Sequence, residues 1–302
     1  MAAREKIRLG YDNAEGAKIA LFVGLDRGLF ENRGIDLAAE RVSPVKLGTP
    51  RLLAGEIQLL LGNSGPVVEA IAREEKPLAV IASLGPASFA VFVRAATASA
   101  GDLKGKRFGV STPGASQDRI ARRALRRLGL EPERDVGIVY TGFNNSTERL
   151  AALAHGEVDA VIGGLENYPD FPELSETESR GLKKLVDLAA LDIHISGSDI
   201  AATRSFVADE RETGRRFIAA LEESLALAKA RPDLVGEAFK SRLGLSDRKA
   251  VASKVQGYYS LSLPTRPLPD RRAIQNNLDE LEEKYPGAAL PQVSGCIDES
   301  LF

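Results

Sequence analysis

"LLAGEIQLLLGN", residues 52–63, and "LAHGEVDAVIGG", residues 153–164, present the same series of features 101 residues apart. In each, a Leu/Ala helix end meets a Gly, then an acidic residue, then a short apolar run that closes on Gly. A Gly just past a helix relieves the left-handed C′ position, and a short apolar run bounded by turn residues suits a buried strand. The same offset sets "RGL" at 27–29 opposite "LGL" at 128–130. Because the echo repeats an order of elements, it predicts two similarly built α/β lobes with mainly parallel sheets.

Working outward, Lys6–Gly10 alternates as a strand should, Lys18–Leu25 is apolar enough for a buried helix, and "IDLAAERV" (35–42) is a further strand. A helix is expected about Pro50–Ala54, and another from Pro66, a residue preset for a first helical turn. "LAVIASL" (78–84) and "FAVFVRAA" (89–96) follow as strands before the small, polar "TASAGDLKGK" (97–106). The cycle then restarts with "RFGV", the helix "SQDRIARRALRRLGL" closed by Gly129, the strand "VGIVYTG", and a helix opened by Asn145 and Glu148 in capping-box spacing. "SDIAATRSFVAD" (198–209) reads as a strand returning to the first lobe. From Asp209 to about Lys284 the pattern is helical, with Phe217, Leu221, Leu225 and Leu227 on one face. The expected organisation is lobe 1 from 1–93 plus 200–302, which carries the C-terminal helices, and lobe 2 from 94–199. Two lobes joined by two chain passages make a hinged clamshell with ligand in the cleft.

The 302 residues are 44% hydrophobic and 27% charged, with a formal charge of −2. That balance gives no general attraction to nucleic acid or membrane, and no window nears the roughly 20 apolar residues of a membrane span. Cys296 is the only Cys, and His155 and His194 are the only His. They exclude an intrachain disulfide and a Cys/His metal cluster, so no metal or cofactor is expected. The N-terminus runs directly into a strand without a signal-like apolar region. The expected location is periplasmic if a signal was removed from this sequence, and cytoplasmic otherwise.

"ALFVGLDRGLFENRGIDLAAERV", "LLAGEIQLLLGNSGPVVEAIAREEKPLAVIASL", "DLKGKRFGVSTPGASQD" and "LAALAHGEVDAVIG" together resemble the substrate-binding proteins of nitrate/sulfonate/taurine-type ABC transporters. The thiamine-pyrimidine synthases belong to the same superfamily. The resemblance spans most of residues 6–245. It implies a type II periplasmic-binding-protein fold, with ligand held by loops at the carboxyl ends of the strands, an ABC permease as partner if the protein is exported, and a monomer. The superfamily also holds cytoplasmic enzymes, so fold alone does not decide function.

Candidate ligand contacts lie at those strand ends. Thr112, Ser116 and Gln117 stand where a helix begins and free N–H groups favour an anion; alternatively Ser116 only caps its helix. No Gly-Lys-Ser/Thr follows, which excludes a P-loop, and neither this turn nor "GNSGP" (62–66) reads G-x-S-x-G. Tyr11, Asp12 and Asn13 leave the first strand as ligand readers or as an Asx-turn. Asn63, Ser64 and Ser83 close the next strands of that lobe, and Asn144, Glu166, Asn167 and Tyr168 occupy comparable places in the second. The arginines 119, 122, 123, 126 and 127 form the polar face of an amphipathic helix and are expected to meet water. If the chain is an enzyme, His194 with Glu166 is the pair for proton transfer; otherwise His194 is structural, as His155 is at its helix end. The leading function is capture of a small sulfonate, carboxylate or related aromatic ligand between the lobes for ABC-type uptake. The alternative is a decarboxylase or lyase acting on a small carboxylic acid.

Overall fold

The computed structural model describes all residues except 1–3, 43–44, 144–145, 165–180, 260 and 262. The strands among them are β1 (Glu5–Tyr11), β2 (Ile35–Arg41), β3 (Leu59–Gly62), β4 (Leu78–Ser83), β5 (Phe89–Arg94), β6 (Arg107–Val110), β7 (Gly137–Tyr140), β8 (Ala160–Gly164), β9 (Leu182–Asp187) and β10 (Asp199–Thr203). The helices that bear on the site are α1 (Ile19–Asp26), α2 (Gly48–Leu53), α3 (Gly65–Glu74), α4 (Ser116–Arg127) and α5 (Ser146–Ala154).

The chain divides into two units. Unit 1 comprises Met1–Ala87, Ile195–Ser246 and Leu261–Phe302; unit 2 comprises Ser88–His194 and Asp247–Ser260. Unit 1 holds a sheet of order β2-β1-β3-β10-β4 and unit 2 a sheet of order β7-β6-β8-β5-β9. The two orders are the same pattern. In each, one strand, β1 or β6, pairs parallel with two others, β2 and β3 or β7 and β8. The fourth member, β10 or β5, is antiparallel to both neighbours and is the strand on which the chain arrives from the other unit. The 101-residue echo therefore superposes β3 on β8 and α2 on the end of α5, as the sequence leads one to expect.

The composition of each element follows its surroundings. β3 and β4 are apolar except for the terminal Ser83, and each of their residues is buried, since both faces are covered; β4 is buried although it stands at the end of the strand order. α1, "IALFVGLD", is apolar nearly all round and buried from Ile19 to Gly24, as a helix enclosed on all sides must be. α4 is one-sided: Ile120, Ala121, Ala124 and Leu125 are buried, whereas Arg126 and Arg127 face water.

In unit 1 the helix Arg271–Lys284 and the chain end complete a second core. Ile274, Leu278 and Leu281 meet Val68 of α3, Val80 of β4, Cys296 and Ile297. In unit 2, Phe92, Leu150, Leu153, Val158 and Val161 pack together with Leu182. The two passages between units pair with each other inside unit 1. Ala87 N donates to Ile195 O at 2.7 Å and Leu84 N to Ser198 O at 2.9 Å. Gly197 is needed there, since a Cβ would stand 2.5 Å from that of Ala87. Among the described residues no helix is long and apolar enough to cross a membrane.

Candidate functional site

In unit 1 the carboxyl ends of β1, β3 and β4 carry the first group of candidates. Tyr11, the last residue of β1, sets its ring edge-on to Phe22 with centroids 4.8 Å apart. Asn13 Oδ1 accepts from Glu15 N at 3.0 Å, which is the Asx-turn reading of that loop. Asp12 Oδ1 accepts from Asn13 N at 2.7 Å and pairs with the buried Lys18 Nζ at 3.1 Å. Lys18 also donates to Gly197 O at 2.9 Å. This ion pair ties the β1 loop to the returning chain passage.

Asn63, Ser64 and Ser83 are engaged within the unit. Asn63 Oδ1 accepts from Gly65 N at 2.7 Å while its Nδ2 donates to Ser196 O at 2.8 Å. Ser64 N donates to Ser196 Oγ at 2.7 Å, and the two hydroxyls lie 2.8 Å apart. Ser64 Oγ donates to Asp199 Oδ2 at 2.6 Å and accepts from Asn277 Nδ2 at 3.1 Å. Ser83 Oγ accepts from Gly85 N at 3.2 Å. Asp199, at the start of β10, is 2% exposed. Burial raises its pKa above the usual carboxyl value, and Asp270 adds to the rise, while the hydroxyls of Ser64, Ser83 and Ser196 oppose it. Sequence reasoning missed Asp199, Ser196 and Asn277, which are far from Ser64 along the chain.

In unit 2 the turn after β6 leads into α4. Thr112 and Ser116 are exposed and Gln117 is half-buried. Ser116 opens α4, and the N-cap position is taken by Ala115, which has no side-chain acceptor. The turn is held instead by Asp118, whose Oδ2 accepts from Gly114 N at 2.8 Å. Its Oδ1 takes Arg122 Nε at 2.7 Å. Arg122 Nη2 reaches Glu133 Oε1 at 2.9 Å and the Tyr140 hydroxyl at 2.9 Å, which holds its pKa above the ordinary arginine value against the cost of burial. Arg119 donates to Gly114 O. Two of the five arginines thus brace the turn rather than only meeting water.

The turn after β7 is fixed by Thr141. Its N and its Oγ1 both donate to Val110 O at 2.9 Å, and its Oγ1 accepts from Phe143 N at 3.2 Å. Arg149 of α5 lies beneath. It is 1% exposed, and burial brings its pKa down to about 10, which leaves it a cation at neutral pH. It donates to Ile162 O at 3.1 Å, Phe143 O at 3.1 Å and Ser146 Oγ at 3.4 Å. Ser146 Oγ also accepts from Gly164 N at 3.1 Å. No sequence motif marks Arg149, because an isolated Arg in an amphipathic helix reads as a surface residue.

His194 Nε2 lies 3.3 Å from Asp192 Oδ1, a contact at the end of unit 2. Asn144, Glu166, Asn167 and Tyr168 lie outside the described residues, as does Asn145 of the expected capping box, so the His194–Glu166 pair is not brought together here.

A family model described as "NMT1/THI5 like" matches residues 17–234. The structure is similar to the periplasmic aliphatic sulphonate binding protein SsuA from Escherichia coli, with TM-score 0.75 and 21% identity over 98% of this chain and 93% of that one. It is also similar to the alkanesulfonate-binding protein SsuA from Xanthomonas axonopodis pv. citri bound to MOPS, with TM-score 0.67 and 20% identity over 99% of this chain and 100% of that one. A Candida albicans protein said to exhibit the generic periplasmic binding protein structural fold matches with TM-score 0.65 and 16% identity over 97% of this chain and 96% of that one. No curated protein sequence matches the chain. At these identities the structural likeness shows the fold.

Proposed function

The chain belongs to the NMT1/THI5-like family, and on that premise we propose that it is a solute-binding protein that captures a small organic ligand for ABC-type uptake. The observation that carries this reading is the repeated strand order of the two units, with parallel strands whose carboxyl ends open into short polar turns. Such turns are where α/β sheets bind ligands. The sulphonate-binding proteins of similar fold support a sulfonate, carboxylate or related aromatic compound. Capture and release need no covalent step. An ABC permease is the partner this role requires, and a periplasmic location goes with it.

The exposed Thr112 and Ser116 and the half-buried Gln117 are the contacts proposed in unit 2. In unit 1 the proposed contacts are Tyr11, Asp12, Asn13, Asn63, Ser64 and Ser83; the side chains of the last five already have polar partners within the unit, which leaves Tyr11 the first to test. The test is native mass spectrometry of the protein purified without denaturation, followed by identification of any small molecule it releases. One bound organic compound, taken up again by the emptied protein, supports the reading. Failure of the protein to retain or rebind any small molecule removes it. With that compound in hand, replacing Thr112, Ser116 and Gln117 together by Ala should weaken binding about tenfold or more while leaving the melting temperature nearly unchanged, since exposed side chains contribute little to stability. Unchanged affinity would move the three residues to a structural role.

A further inference from the structure

Asp199 is the first residue of β10 and closes the passage by which the chain re-enters unit 1. It pairs with Gly62 at the end of β3 on one side and with Ser83 at the end of β4 on the other. Its two carboxyl oxygens are unequal. Oδ2 takes the Ser64 hydroxyl at 2.6 Å, whereas Oδ1 is buried and, among the described residues, has no hydrogen-bond partner. The Ser83 and Ser196 hydroxyls bear on the carboxyl, but neither makes a well-aligned bond to Oδ1. A neutral carboxyl tolerates that position far better than a carboxylate, because a buried charged oxygen without a donor keeps its full desolvation cost.

The residues around Asp199 also fasten the passage. Ser196 Oγ takes Ser64 N at 2.7 Å and Ser196 O takes Asn63 Nδ2 at 2.8 Å, while Ser198 O takes Leu84 N at 2.9 Å. Ser64 is the N-cap residue of α3, yet its side chain makes no capping bond; it serves Asp199 and Asn277 instead. Its one hydroxyl proton is donated to Asp199, so the 2.8 Å bond between the two hydroxyls runs from Ser196 to Ser64. The chain of donors ends on Asp199, and the bonds that hold Ser196–Asp199 to the ends of β3 and β4 share its members.

Few charges face this carboxyl. β3 and β4 bring no titratable side chain. The helix Arg271–Lys284 brings Asp270, whose Oδ1 takes Arg272 N and Ala273 N, and Glu280, which takes Asn276 Nδ2. Lys18 Nζ reaches Gly197 O and is paired with Asp12. Arg51 of α2 meets Glu40 and Glu56. Beyond β10, Arg204 meets Asp298 and Asp209 is exposed. Of these charges, Asp270 is the one that acts on Asp199, and it favours the neutral form, as burial does.

We propose that Asp199 is a proton-operated latch on the returning passage: neutral, it leaves Ser196–Asp199 fastened to the ends of β3 and β4, and ionised, it parts that segment from them so that water reaches Oδ1. A carboxyl held above its ordinary pKa keeps the latch closed at low pH and opens it as pH rises through the folded value. Chain passages absorb the backbone changes of hinged proteins, so this is the place where pH acts on the hinge. The latch needs no ligand and stands or falls apart from the solute-binding reading.

The experiment uses the full chain without ligand from about pH 4 to about pH 9. Carbon-13 NMR of the side-chain carboxyls follows the charge on Asp199. Amide hydrogen exchange, corrected for its intrinsic pH dependence, follows the latch. Protection at Ser64 and Leu84 should fall about tenfold or more over the interval in which Asp199 ionises, while amides between β1 and β2 keep theirs. D199N is permanently neutral and should hold that protection at every pH. D270N removes the neighbouring charge and keeps the helix cap, since Asn caps as well as Asp; it should move both the ionisation and the loss of protection to lower pH. Protection unchanged while Asp199 ionises, a carboxyl that stays neutral throughout, a wild-type loss in D199N, or an unmoved midpoint in D270N overturns the inference. Should D199N fail to fold, which its amide spectrum shows directly, wild type and D270N decide.

Discussion

Asp199 shows how a residue can look like part of a ligand site and belong to the framework. Ser64 Oγ donates a hydrogen bond to it at 2.6 Å, and Ser64 is itself held by Ser196 and Asn277. These partners are 132 and 213 residues away in sequence, which is why Ser64 is readable only as a polar residue at a strand end. Asp12 and Asn13 were more legible, because an Asx-turn is formed by neighbours in the chain. Arg149 was not, since burial of an arginine depends on what the other strands cover. Two outcomes follow at this scale. An unfolded Asp titrates near ~3.9, and burial puts Asp199 higher in the folded chain. Between those two values the folded state holds the extra proton, so Asp199's contribution to stability is full below the unfolded value. It declines as pH rises through the window and is level above the folded pKa. D199N lacks that decline. Its melting temperature relative to wild type should therefore climb as pH rises from about 4, and a difference that stays flat with pH would contradict the assignment. S64A withdraws the hydroxyl from a buried carboxyl and should cost about 1–3 kcal/mol in chemical denaturation; a loss near zero would show that the network contributes no stability.

Elements were the most legible scale where periodicity was strong. α1, α4, β3, β4 and β8 sit where the apolar runs and Gly punctuation put them, and the Pro66 start of α3 is as expected. β9 was not marked as a strand, because "LKKLVD" places two lysines in a half-buried edge position and so lacks a clean alternation. The segment Arg204–Asp209, expected as part of a strand, is a helix capped by Thr203, whose side chain accepts from Phe206 N. Contact between elements gives a sharper test. Gly24 in α1 faces Ser224 of the helix Arg211–Ala230 so closely that a Cβ would lie 1.7 Å from its Oγ and 2.6 Å from its Cβ. G24A should destabilise by about 1–3 kcal/mol through overpacking. S224A should recover only part of the loss, because the Ser224 Cβ remains in the way, whereas S224G should recover more. Equal stability of G24A and wild type would mean the two helices separate at little cost.

For the whole molecule, the 101-residue echo was enough to predict two α/β units of one design, and the strand orders agree with it. The echo works because each unit solves the same problem, burying a short parallel sheet between helices, with the same order of apolar runs and turns. That Asp247–Ser260 belongs with unit 2 was hidden, because helical periodicity records a buried face but not what buries it. The function was legible only as far as the fold and the polar strand ends go, and ligand identity depends on loop chemistry that spacing does not encode. The central claim is binding without chemistry. It is tested most directly by incubating the protein with the compound it releases, following the melting temperature, and analysing the compound afterwards. At one hundred times the dissociation constant the complex should be more stable by about 2.7 kcal/mol, with the compound recovered unchanged. A product accumulating beyond one equivalent of protein would contradict the account, as would a melting temperature that does not respond to the compound.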